Sequence, residues 1–149
     1  MKILVSWSSG KDCAWMLHVL NRQHPGSVQG LLTTTTEAFD RVAMHGVRRS
    51  LVEAQARAAR VPLHVVPLPW PCSNEDYQRR IGAAVRQHVA SGFTHVAFGD
   101  LFLEDVRQYR ESRLSGTGLA PLFPLWQTRT TVALAREMIP DVIYVDLGF

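Results

Sequence analysis

The residues best suited to chemistry stand near the start of the chain, in Val5-Ser6-Trp7-Ser8-Ser9-Gly10-Lys11-Asp12-Cys13. Ser8 and Ser9 offer hydroxyl donors, Gly10 lets the backbone turn tightly and come close to a ligand, and Lys11 adds a positive charge. An apolar run, Ile3-Leu4-Val5, leads in, and a helical run from Ala14 to Leu20 leads out. A strand that ends in such a loop and restarts as a helix presents free N–H groups at the positive end of the helix dipole. Both favour an anion, above all phosphate. The chemistry is that of a polyphosphate cradle, although an ordinary small, polar βα turn has the same composition. A Walker loop is excluded, since Val5 stands where its first glycine belongs and Asp12 where it has Ser or Thr. With a single glycine present, G-x-G-x-x-G is excluded as well.

A second dense stretch is Gly99-Asp100-Leu101-Phe102-Leu103-Glu104-Asp105-Val106-Arg107-Gln108-Tyr109-Arg110-Glu111. Gly99 permits close backbone approach. Asp100 and Glu104 suit Mg²⁺, directly or through water. Arg107 and Arg110, three apart, share a helix face and could clamp a carboxylate or a phosphate. The plainer alternative is a solvated helix laced by Glu104–Arg107 and Arg107–Glu111 ion pairs.

The elements that must position these groups alternate. Strands are expected at 2–6, 28–34, 63–66, 94–98 and 142–145. Helices are expected at 12–22, 48–60, from Ser73 to the Ser91-Gly92 stop, at 104–114 and at 131–139, the last stopped by Pro140. Ser73 with Asp76 three residues later is a helix-start signal. Residues 35–47 have no clean period. The prolines of Pro67-Leu68-Pro69-Trp70-Pro71 and of 121–126 make both stretches read as loops. Short joins between alternating elements predict one α/β domain over 1–149, a five-stranded parallel sheet doubly wound with helices on both faces. By analogy with that fold class the order is 3-2-1-4-5, which brings the ends of the first and fourth strands, and so both polar motifs, to one switch point.

Bulk properties bound the rest. A chain of 149 residues with 46% hydrophobic residues suits one soluble domain. A net charge of +3 without a block of like charges gives no nucleic-acid tail. The start is too short and too quickly polar for a signal peptide, and no apolar run reaches membrane-span length. Two cysteines make no disulfide framework, so a reduced cytoplasm is expected. Trp7 and Trp15 read as packing, Cys72 as structural, and His18, His24, His64, His88 and His95 as core or surface residues without metal spacing. Cys13 reads as packing beside the phosphate loop rather than as a thiol nucleophile, since no partner base is visible.

The order Ser-Ser-Gly-Lys-Asp-Cys resembles the S-G-G-x-D-S loop of ATP pyrophosphatases of the adenine nucleotide alpha-hydrolase fold, with Ser9 for a glycine and Cys13 for the last serine. Segments 6–13, 44–47, 69–77, 99–111 and 121–126 resemble, in order and spacing, the family of diphthine–ammonia ligase and its bacterial relatives. The Gly-Asp-Leu-Phe-Leu-Glu-Asp and Pro-Leu-Phe-Pro-Leu-Trp runs are the narrowest part of the likeness. The resemblance implies that Ser6, Ser8, Ser9, Gly10, Lys11, Asp12 and Cys13 hold the phosphates of ATP, with Asp12 and Asp100 near Mg²⁺. It places Leu32, Thr33 and Thr34 against adenine through their backbone, with Gly99 close by. Lys11, Asp12, Asp100, Glu104, Arg107 and Glu111 would do the chemistry, and His45 and Trp126 would line the cleft. The implied reaction is adenylation of a carboxylate by ATP, followed by attack of ammonia or an amine to give an amide, AMP and pyrophosphate. The partners are then ATP, an unidentified carboxylate and ammonia as amine donor, without nucleic acid or membrane, and further copies of the chain are allowed. Members of the family run on past the fifth strand, whereas this chain stops at Phe149, so the expected alternative is a nucleotide-binding module without turnover.

Overall fold

The structure is a computed structural model that describes residues 1–43, 46–127 and 131–147, with side chains up to residue 139. Its elements run β1 (Ile3–Ser6), α1 (Lys11–Gln23), β2 (Val28–Thr36), β3 (Arg41–Val42), α2 (Arg49–Ala59), β4 (Leu63–Leu68), α3 (Asn74–Ala90), β5 (His95–Ala97), α4 (Glu104–Leu114), β6 (Ala120–Leu122) and α5 (Thr131–Leu147). The chain is α/β, with a mostly parallel six-stranded sheet. β1 lies between β2 and β5, β4 pairs the far side of β2, and β6 pairs the far side of β5, all parallel.

Strand alternation sorts the core. Ile3 and Val5 pack in one cluster with Met16 and Leu20 of α1, Val52 and Ala56 of α2, and Leu134 and Met138 of α5. Leu4, one residue out of phase, joins Phe93, Val96, Phe98 and Leu114, with Val85 and Val89 of α3 against them. β1 is therefore covered on both faces, and its loop can open only at its carboxyl end.

β2 overhangs that end. Its register with β1 stops at Ser6↔Leu32, yet it continues to Thr36. The antiparallel β3 takes the free edge, pairing Thr35 with Val42 and Thr36 with Arg41. This hairpin lies beyond the carboxyl end of β1, in the segment that showed no period in the sequence.

The sheet has six strands rather than the five parallel ones expected, since the antiparallel β3 forms within residues 35–47; three further expectations fail, each at a proline. The third strand runs on through Pro67 to Leu68, and 121–126 is not all loop, since Pro121 lies in β6. Both strands are edges. Phe98 and Glu37 donate to the carbonyls of Leu122 and Leu68, so the alternate residues Pro121 and Pro67 face away from the sheet and lose no ladder bond. The third failure is at Pro140. The helix continues to Leu147 and no strand forms at 142–145. An apolar run of that length has no period that separates strand from helix, and β6 fills the place beside β5.

Candidate functional site

The loop between β1 and α1 is built as its composition requires. Trp7 continues the strand by donating its N–H to the Leu32 carbonyl at 2.8 Å. The chain then turns at Ser9, whose φ of 72° is in the left-handed region, a conformation that strains a residue bearing a Cβ. Gly10 occupies the N-cap position with no side-chain cap. Among the described residues, the N–H groups of Lys11, Asp12 and Cys13 have no partner, as expected of the first turn of an uncapped helix. Lys11 Nζ lies 2.9 Å from Asp12 Oδ1, and both side chains reach solvent.

One loop-holding residue escaped sequence reading. Gln55 of α2 accepts the Trp7 indole N–H at 3.0 Å and donates to the Ser9 carbonyl at 3.4 Å. The available signal was a glutamine among Leu51, Val52, Ala58 and Ala59 on the apolar side of α2. Trp7 itself is a core residue, as expected. Cys13 is buried and donates its S–H to the Gly10 carbonyl at 3.0 Å. Burial pushes its thiol pKa up, outweighing the opposing Ser8 hydroxyl and backbone N–H groups, which favours packing over nucleophilic chemistry.

The second motif meets the first through Gly99. A methyl group there would stand 3.4 Å from the Asp12 carbonyl carbon and 3.5 Å from the Cys13 nitrogen, so the backbone just after β5 passes within a methyl group's reach of the first turn of α1. Asp100 does not face open solvent: its Oδ2 accepts from Arg110 Nε at 2.7 Å, and neither side chain is more than about a third exposed. Arg107 donates its Nε to Glu111 at 2.9 Å. Glu104 makes no ion pair with Arg107 and accepts a longer bond from Gln108 at 3.4 Å. Half of the ion-pair alternative for this helix is therefore realised.

Both arginines rest on rings. Arg110 lies 4.3 Å above the Phe98 centroid, and Arg107 lies 4.9 Å above Phe123 and 5.0 Å above Trp126. Phe98 stacks on Phe123 at 5.8 Å, and Phe123 meets Trp126 edge-on at 6.0 Å. This row fixes the loop after β6 against α4, helped by the Gln127 N–H on the Leu101 carbonyl at 2.9 Å. Tyr77, at the start of α3, is half-buried, and burial pushes its hydroxyl pKa up.

At the end of β2, the Leu32 and Thr34 carbonyls accept from Trp7 and Ala43. The Thr33 hydroxyl is buried and finds no partner among the described residues. His45 lies outside the described residues. A surface depression of about 390 Å³ lined by Arg57, Arg60, Val61 and Leu63 sits where α2 ends and β4 begins, at the opposite end of the sheet from the loop. Among the described residues no group of three His, Cys, Asp or Glu side chains could hold a metal, and no helix is long and apolar enough to cross a membrane.

No protein-family model and no curated protein matches the chain. Any assignment therefore stands on the residues and their arrangement.

Proposed function

We propose that the chain is an ATP pyrophosphatase of the alpha-hydrolase fold, similar to diphthine–ammonia ligase, that activates a carboxylate for amide formation. On this reading the sheet is doubly wound in the order 3-2-1-4-5, with β6 as the fifth strand, and the site lies at the β1–β5 switch point. The observation that carries the reading is the meeting of two features. An uncapped helix start follows Ser8-Ser9-Gly10 at the end of the central strand, and Gly99 brings the second polar motif close to it.

The donor set fits a triphosphate: three free N–H groups, nearby hydroxyls and the exposed Lys11 ammonium all attract phosphate oxygens. The partnerless Thr33 hydroxyl leaves a hydrogen-bonding group for a ligand beside the end of β1. Mg²⁺ also fits, with Asp12 as its protein ligand and phosphate oxygens completing the shell. Each carboxylate has one oxygen on a cation, Asp12 on Lys11 and Asp100 on Arg110; the Asp100 pair is the more buried, which makes Asp100 the weaker ligand. When bound, Mg²⁺ offsets charge on the leaving pyrophosphate. A carboxylate oxygen of the substrate attacks the α-phosphorus, and the bond to the bridging oxygen breaks. An amine nitrogen then attacks the acyl carbon, AMP leaves and the nitrogen loses a proton. Lys11 and the helix start act by positioning and charge stabilisation.

A second reading has its own support. Asp100, Arg107 and Glu111 are all engaged in ion pairs with neighbours, the arrangement of a nucleotide-binding module without turnover. Calorimetric titration with Mg·ATP, with GTP as control, tests the common part, and selective ATP binding is expected. Product analysis with ammonium and candidate acids separates the two. The enzyme forms AMP and pyrophosphate, the binding module returns ATP unchanged, and ADP as product rejects the pyrophosphatase reading.

A further inference from the structure

We propose that Arg107 and Arg110 form a receptor for a carboxylate that is not the one activated, so that the substrate of this site is a small dicarboxylic acid. The inference deepens the reading above and rests on it. Each guanidinium has its Nε engaged, Arg107 on Glu111 and Arg110 on Asp100. Each also has one face on an aromatic ring of the Phe98–Phe123–Trp126 row. The terminal Nη groups of both have no partner among the described residues.

Two planar forks are thus held by a carboxylate at one edge and a ring beneath, with their outer N–H groups free. This is preorganisation for an oxyanion: the orientation is already fixed, so little side-chain freedom is lost on binding. Asp100 and Glu111 neutralise the guanidinium charge, so the forks select by paired hydrogen bonds more than by net charge. Residues three apart on a helix are neighbours, so the two forks serve one small molecule. A carboxylate held by such a fork has both oxygens engaged and its charge offset, which makes it a poor nucleophile toward phosphorus. The group that attacks ATP must therefore be a second carboxylate, reaching past Asp100 and Gly99 toward the start of α1.

The test is calorimetric titration of the full chain with succinate, glutarate and butyrate, each without nucleotide and with Mg·ATP. With Mg·ATP present, one of the diacids should bind about ten-fold or more tightly than butyrate, because butyrate fills the forks or the activated position but not both. Arg107→Lys and Arg110→Lys retain the charge but not the planar fork, and each should erase that preference. A structural role alone would weaken diacid and monoacid together and leave the ratio intact, which overturns the proposal. Equal binding of diacid and butyrate by the natural chain with Mg·ATP, or binding of no acid, also overturns it. So does displacement by pyrophosphate of a ligand that neither diacid displaces, because the forks would then read phosphate. If a lysine variant does not fold, the ratio in the natural chain decides. Without nucleotide, butyrate and the diacids occupy the forks alike. A chain that binds them there, and loses that binding in either lysine variant, but ignores Mg·ATP would sink the proposed function and leave the receptor standing.

Discussion

The β1–α1 loop and the β5–α4 region approach each other at Gly99, yet they are built on opposite plans. The loop is held by backbone geometry and by one glutamine from α2, and it leaves its N–H groups unpaired at the start of α1. The α4 region binds its own charges together and seats them on three rings. A ligand at the loop would meet donors supplied by the main chain, which side-chain substitution leaves in place. A ligand at α4 would meet arginine donors whose direction depends on five other side chains at once. The first design tolerates sequence change, and the second does not.

Substitutions can break or sharpen this contrast. The largest effect should come from Asp12→Ala, which removes the proposed metal ligand while leaving the loop backbone intact. Mg·ATP binding should fall below calorimetric detection with the circular dichroism spectrum unchanged, and undiminished binding would show that the loop assignment is wrong. Next is Phe98→Ala. It empties a buried ring position beneath Arg110 and should cost about 3–5 kcal/mol in urea unfolding. A loss under 1 kcal/mol would mean that the aromatic row does not support α4. Smaller, and opposite in sign, is Ser9→Gly. Relief of the left-handed strain at φ 72°, offset by a looser unfolded chain, should stabilise the protein by about 0.5–1 kcal/mol. A lower melting temperature would place the strain elsewhere.

The smallest effect lies outside both regions and calibrates them. His64 packs edge-on against His88 at 4.6 Å. Burial, with His88 and Lys2 adding to it, lowers its pKa from the ordinary 6.5. Below 6.5 the unfolded chain takes up a proton that the folded chain refuses. The contribution of His64 is thus full above 6.5 and is lost as pH falls from there toward its folded pKa. His64→Gln should flatten the acid side of the stability profile between pH 7 and 5, measured by urea midpoints. An unchanged slope would mean that another group controls it.

Much of this was legible in the residues. The helix at 104–114, the Ser73 cap, which accepts the Asp76 N–H at 3.1 Å, and the loop after Ser6 all follow from local rules of period, capping and turn chemistry. The approach at Gly99 was foreseeable only through an analogy of topology. What could not be read was non-local. Proline breaks a central strand but not the outer edge of an edge strand, and nothing near Pro67 or Pro121 says which strands are edges. Gln55 looked like an interruption of an apolar face because its partners, Trp7 and Ser9, are far away in sequence. The Asp100–Arg110 pair could not be read because its spacing bridges a loop and a helix, outside the i,i+4 rule. The aromatic row was invisible for the same reason, since Phe98, Phe123 and Trp126 come from two separate strand ends.

The outward-facing prolines have a consequence for self-association. At Pro67 the outer edge of β4 lacks an N–H, and its carbonyl already accepts from Arg80 Nη1 at 2.8 Å. At Pro121 the outer edge of β6 lacks the same donor. Each margin is thereby a poorer template for a strand from a second copy, which disfavours lateral growth of the sheet. The edges that most endanger a small parallel sheet are thus blunted by the residues that made them hard to recognise as strands.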